Sequence, residues 1–201
     1  AGLIEKLSVG EAVREAEIVF SICPPHAVQD VAREVAALGF KGVYVDANAV
    51  APKTVREVGA IVSAAGARWV DGGIVGNAPG PNKSTRLYLA GPGAADIAAL
   101  FAGTYLATIV LDGAPGAASA LKMCYAGWTK GSTALFADIR SLARAEGVDE
   151  ALLAEWKISK PSAVKDSEAV MKAARKAWRW VAEMEEIAAS FEDQKLVGNF
   201  H

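Results

Sequence analysis

The apolar positions of this chain fall into short blocks whose spacing switches repeatedly between that of a buried strand and that of a helix. Ser8 and Glu11 stand three residues apart, as in a capping box, and predict a short helix running towards Ala16. The run from Ile18 to Cys23 is β-branched or apolar almost throughout and is closed by Pro24 and Pro25, as expected of a strand covered on both faces. Ala27, Val28, Val31, Val35 and Leu38 then recur at helical spacing up to Gly39, which suits a left-handed C′ position.

The same unit repeats. Val43 to Val45 predicts a strand ending at Asp46, and Pro52 a first helical residue. Val55, Val58, Ile61, Val62 and Ala65 supply the buried helix face before Gly66. A third strand is expected from Arg68 to Asp71, with Leu87 to Leu89 and Tyr105 to Leu111 completing the sheet. Strands alternating with helices through short connections imply a parallel, doubly wound sheet of Rossmann type, because parallel neighbours need a crossover helix. Ligands of such sheets bind beyond the strand C-termini, which directs attention to three loops: Cys23-Pro24-Pro25, Asp46-Ala47-Asn48 and Asp71 to Asn77.

After Gly116 the pattern turns helical almost to the end. Apolar residues are dense from Ala117 to Trp128 and amphipathic through Leu142, and Asp149 suits the next N-cap. Pro161 interrupts the following stretch. Ala169 to Phe191 holds one or two further helices, with Trp178, Trp180, Val181, Met184 and Ile187 expected on the buried side. The fold class is thus α/β followed by all-α, with a domain over residues 1–112 and a helical one over 113–201.

Composition narrows the functions available. With 52% hydrophobic and 22% charged residues among 201, the chain can bury a core of its own. A net charge of −2 gives no general reason to bind nucleic acid or an anionic membrane surface, so a small-molecule partner is expected. Cys23 and Cys124 stand far apart and suggest neither a zinc site nor a disulfide framework. No apolar run approaches the roughly 20 residues that span a bilayer, and the first residues lack the order of a signal peptide. A cytoplasmic protein is expected.

Lys122 is the most informative single residue, a lone cation within A-L-K-M-C-Y-A-G-W. Such a lysine either lays its stem on the helix and extends its head to water, or is desolvated towards the pKa range useful for a general acid or base. Gly113 and Gly116 precede it in G-A-P-G-A-A-S-A-L-K. This segment resembles the G-x-x-G-x-G-x-x-x-K signature of the β-hydroxyacid dehydrogenases, relatives of 3-hydroxyisobutyrate and 6-phosphogluconate dehydrogenases, with Ala118 at the third glycine. V-D-A-N-A-V-A-P likewise resembles the family's D-S-S-T-x-x-P nucleotide-side loop, and D-G-G-I-V-G-N its D-A-P-V-S-G-G substrate loop.

The resemblance implies a partial dinucleotide-binding domain followed by a helical domain for substrate binding and dimerisation. It implies NAD or NADP as cofactor, bound near Cys23, Pro24, Pro25 and Asn48, and Lys122 as the residue that moves the hydroxyl proton. Substrate would lie near Val75, Gly76, Asn77, Tyr125 and Ala126. Three departures stand out. The family's first strand and G-x-G-x-x-G turn, which hold the pyrophosphate, are not found in these 201 residues. Val75 replaces a serine expected to bind a substrate carboxylate, and Ala126 replaces an asparagine four residues after the lysine, with Tyr125 beside it.

Other segments read more plainly. Gly76 to Thr85 is a turn between strands and no phosphate-binding loop, since Pro81 and Asn82 separate Gly80 from Lys83. His26 and His201 give no support to a triad or metal site, and Cys23 reads as a small buried hydrophobe with no catalytic role. The cation-rich stretch from Lys157 to Arg179 reads as a solvated helix face, with Lys176 or Arg179 able to reach an anionic substrate. Hydride transfer to or from a small 3-hydroxy acid or sugar acid is the function expected. The alternatives are an imine reductase and a non-catalytic dinucleotide- or metabolite-binding protein. Trp128, Trp156, Trp178 and Trp180 give the helical domain an apolar load that suggests a homodimer.

Overall fold

A computed structural model describes residues 4–82, 84–174 and 177–198, with the side chains of 171–174 and 179 set aside. The chain divides into two compact units, Ala1–Met123 and Cys124–His201. The first holds β1 (Ile18–Ser21), β2 (Val43–Asp46), β3 (Arg68–Val75), β4 (Arg86–Ala90) and β5 (Ala107–Val110). With them stand α1 (Val9–Val13), α2 (Val28–Ala37), α3 (Pro52–Ala64), α4 (Ala94–Ala99) and the start of α5 (Ala117–Ala145). The helix ends follow from sequence as expected: Gly39 and Gly66 take φ of +73° and +93°, the left-handed backbone that closes α2 and α3. Ser8 Oγ accepts from the Glu11 amide at 3.2 Å to start α1, while the Glu11 carboxylate accepts from Leu7 N.

The sheet order is β1-β2-β3-β4-β5, and it is mixed where an all-parallel sheet was expected. β1, β2 and β3 are parallel, β4 runs antiparallel to β3, and β5 is again parallel to β4. The reason lies in the connection: the described residues of the turn-rich segment from Gly76 to Thr85 hold no crossover helix, and so short a link returns β4 antiparallel. This pairing also lengthens β3. Its first half pairs with β2, Val43↔Arg68 to Asp46↔Asp71, and its second half pairs with β4, Asp71↔Ala90 to Val75↔Arg86. Asp71 to Val75 is therefore strand, and the loop that was expected from Asp71 begins only at Gly76, whose φ is +117°.

Alternation along the strands sends side chains to two cores. Tyr44 packs with Val28, Val35, Val55, Val58 and Val62 on one face, and Val45 with Val70, Leu87, Leu89 and Ile97 on the other. The second unit comprises the remainder of α5 with α6 (Asp149–Ser159), α7 (Pro161–Ala174) and α8 (Val181–Asp193). Here Phe136 and Trp156 meet edge to face at 5.8 Å, Arg140 bonds to Asp149 and Ser167, and Lys130 pairs with Glu183. Asp149 is thus the first residue of α6 and an ion-pair partner, with Val148 as the N-cap instead. Ile187 is fully buried, but Trp178 and Val181 are 72% and 60% exposed, against expectation. A 3₁₀ turn at Ala177–Trp180 precedes α8 and breaks the 3.6-residue period on which that expectation rested. Lys176 and the side chain of Arg179 lie outside the described residues. No described helix is long and apolar enough to cross a membrane.

Candidate functional site

The loops after β1 and β2 are tied together. Asn48 Oδ1 accepts from Cys23 N at 2.6 Å, and its Nδ2 donates to Ser21 Oγ at 3.0 Å. Asn48 is 3% exposed, so its side chain fixes the two loops to one another and what the loops offer outward is backbone together with the rings of Pro24 and Pro25. Pro25 opens a 3₁₀ turn, Pro25–Ala27, that leads into α2, and His26 sits exposed in it. Beneath the loops lies Asp46, fully buried, with Oδ1 accepting from Asn48 N at 3.1 Å and Oδ2 without a hydrogen-bond partner among the described residues. Burial pushes this carboxyl up to about 6, the bonds from Asn48 pull it down, and the Asp71 charge raises it further.

Asp71, opposite Asp46 in the β2–β3 register, is also fully buried but richly bonded. Its Oδ2 accepts from Gly116 N and Ala118 N, both at 2.8 Å, and its Oδ1 accepts from Ser119 Oγ at 2.7 Å and Ser119 N at 3.2 Å. A strand residue therefore satisfies the first-turn amides of α5 that would otherwise lack partners. Burial raises the Asp71 carboxyl while the bonds from Ser119, Ala118 and Gly116 lower it. Gly116 has a φ of +106°, a conformation that an L side chain rarely adopts, and the turn it makes presents these amides to the carboxylate.

Lys122 is half-buried on α5, and its Nζ donates to the Ile74 carbonyl of β3 at 2.6 Å. It is neither stranded in the core nor turned freely to water. Strand and helix approach closely here: a Cβ built on Gly73 would lie 2.7 Å from the Ala118 carbonyl and 3.2 Å from Lys122 Cβ. Val75 is 2% exposed, so any contact it makes with a ligand is through backbone. Gly76 and Asn77 are exposed, and the Asn77 carbonyl accepts from Thr85 Oγ1, which holds the turn in place. Tyr125 and Ala126 follow on α5 but belong to the second unit, Tyr125 45% exposed and Ala126 buried. Local sequence rules could not have found Asp71 or Ser119 as partners, because the cap arrives from a strand far away in the chain.

A family model described as a domain of unknown function (DUF1932) matches residues 143–200. No curated protein matches the sequence. A conserved hypothetical protein from Sinorhizobium meliloti 1021 superimposes with a TM-score of 0.72 at 25% identity, over 95% of this chain and 65% of that one. The conserved protein MTH1747, described as structurally similar to 3-hydroxyacid dehydrogenases, gives 0.69 at 26% identity over 96% and 73%. The chain has the 3-hydroxyacid dehydrogenase-like fold. A 3-hydroxyisobutyrate dehydrogenase from Salmonella typhimurium carries it at 14% identity, with a TM-score of 0.66 over 94% and 71%. An imine reductase from Bacillus cereus shares it at 17% identity, with a TM-score of 0.59 over 99% and 74%, and a reductive aminase from Aspergillus terreus in complex with NADPH at 19%, with 0.57 over 96% and 73%. This is the fold that the sequence resemblance implied, and the chain spans 65% of the length of the Sinorhizobium relative.

Proposed function

We propose that the chain is the catalytic part of a nicotinamide-dependent oxidoreductase that acts on a small 3-hydroxy acid or sugar acid. The observation that carries this is the station of Lys122: a half-buried ammonium held against β3, next to the exposed Gly76-Asn77 turn. The C-terminal ends of β1 and β2 fit the nicotinamide end of NAD or NADP, because Asn48 locks their loops into one surface edged by Pro24 and Pro25. When bound, the nicotinamide supplies or accepts the hydride. Lys122 exchanges the proton of the substrate oxygen from its Nζ, leaving the Ile74 carbonyl to steady the ammonium. Gly76 and Asn77 offer backbone amides where a serine side chain is missing at Val75.

The test is Lys122→Met, which keeps the stem volume and removes the charge. Screened with NADH, NADPH and the oxidised forms against 3-hydroxy acids and sugar acids, the variant is expected to lose about 10² to 10⁴-fold in turnover with cofactor affinity little changed. A loss of less than about tenfold would remove Lys122 from proton transfer. Turnover only with cyclic imines would move the function to imine reduction, whose enzymes share the fold. Cofactor binding with no turnover of any class would leave a binding protein. A homodimer through the helical unit belongs to the same proposal. Trp128, Leu135 and Leu142 lie seven residues apart on α5 and are 75%, 55% and 63% exposed, a heptad stripe suited to a second copy.

A further inference from the structure

We infer that Asp71 is the positioning residue of this site: by gathering the first-turn amides of α5 onto β3 it sets the place at which Lys122 meets Ile74. The inference rests on the proposed function only in the use made of Lys122. The two tethers between strand and helix are matched in spacing. Asp71 holds Ser119 through both its amide and its hydroxyl, and three residues further along each element Ile74 holds Lys122. The contact between them is backbone against backbone, with Gly73 lacking the side chain that would push α5 away. A helix joined to a strand in this way has little freedom to turn about its axis or slide along it, so the Nζ position is set by the carboxylate at its start.

The chemistry of the anchor calls for a carboxylate. All its partners are donors: three backbone amides and one hydroxyl converge on two acceptor oxygens. They include the positive end of a 29-residue helix, so the buried negative charge faces a matching dipole. An amide at this position would turn an NH₂ towards N–H donors, losing at least one bond and setting donor against donor. Asp46, on the neighbouring strand, accepts instead from the Asn48 amide.

Competitive acetylation followed by peptide mass spectrometry tests this without a substrate, using the full chain. The labelling rate of Lys122 is divided by that of the exposed Lys53 in the same molecule. In Asp71→Asn the ratio is expected to rise about tenfold, as the start of α5 opens and releases the ammonium, while Lys53 and the helical circular dichroism stay unchanged. Ser119→Ala removes one hydroxyl and leaves the carboxylate, and a rise of about threefold is expected. A folded Asp71→Asn whose ratio stays within about twofold of wild type overturns the inference. Should that variant fail to fold, Ser119→Ala decides alone, and a ratio within the same twofold range overturns it. Where a substrate is in hand, Asp71→Asn should lower kcat and leave the cofactor KM in place. The labelling outcome stands or falls by itself, whereas the turnover of Lys122→Met judges the proposed reaction.

Discussion

In the sheet-bearing unit many large apolar side chains are sealed inside two cores even though others, such as Leu7 and Ile22, are exposed, whereas among the described residues of the helical unit Ile187 is the one large apolar side chain that is fully buried. Leu87, Leu89, Tyr44, Val28, Val35, Val55, Val58 and Val62 are at most 1% exposed, while Trp128, Trp178 and Ile158 of the helical unit are 75%, 72% and 81% exposed. The first unit spends its polar groups on internal order, as Asn48 and Asp71 show. The second leaves large apolar side chains exposed, and it is on these that the proposed dimer would form. Under the proposed function, precision belongs to the first unit and association to the second.

Three experiments can break or sharpen that contrast. The largest effect should come from Leu89→Ala, which empties a fully buried position between the β4 backbone and the α4 side of the sheet. A loss of about 2–5 kcal/mol is expected from urea unfolding, and a loss under about 1 kcal/mol would mean the first unit is packed no better than the second. Next comes acidity. Asp46 titrates near 6 in the fold against 3.8 when free, so its contribution to stability is fully present below about pH 3.8 and is lost as pH rises through 6. That shift corresponds to about 3 kcal/mol at most, and the raised Asp71 carboxyl acts in the same direction. The urea midpoint should therefore increase from pH 8 to pH 5 and should do so less in Asp46→Asn; a midpoint that falls over this range refutes the assignment.

The smallest effect on stability should come from Leu135→Lys on the α5 stripe, within about 0.5 kcal/mol by unfolding at low concentration. Its effect on mass should be plain. Light scattering at tens of micromolar, a range in which a moderate dimer is formed, should give a dimer for the natural chain and a monomer for the variant. A natural chain that is monomeric there would leave the exposed tryptophans of the helical unit unexplained.

Much of the first unit was legible because its signals are local. Gly39 and Gly66 mark helix ends through their own backbone, Pro52 marks a helix start, and valines at helical spacing mark the buried faces of α2 and α3. The second half of β3 was not legible, since Gly72 and Gly73 carry no strand preference and owe their extension to β4. The short helix α4 was missed for a similar reason: its small residues show little contrast between faces. In the candidate site, Lys122 was singled out as a cation among apolar neighbours, and the structure places it half-buried with its Nζ against the Ile74 carbonyl. Asp71 did not, because its importance comes from amides forty-five and more positions later in the chain. The outward Trp178 was misjudged because the 3₁₀ turn at Ala177–Trp180 breaks the helical period that had placed it on the buried side.

β1 pairs with β2 from Ile18↔Val43 to Ser21↔Asp46. Pro24 and Pro25 follow, and since neither can donate a backbone amide, the ladder cannot be extended beyond this point. The chain is released instead into the 3₁₀ turn at Pro25–Ala27. Continued strand pairing therefore cannot seal the surface that Asn48 ties together, and the end of β1 stays open to a ligand.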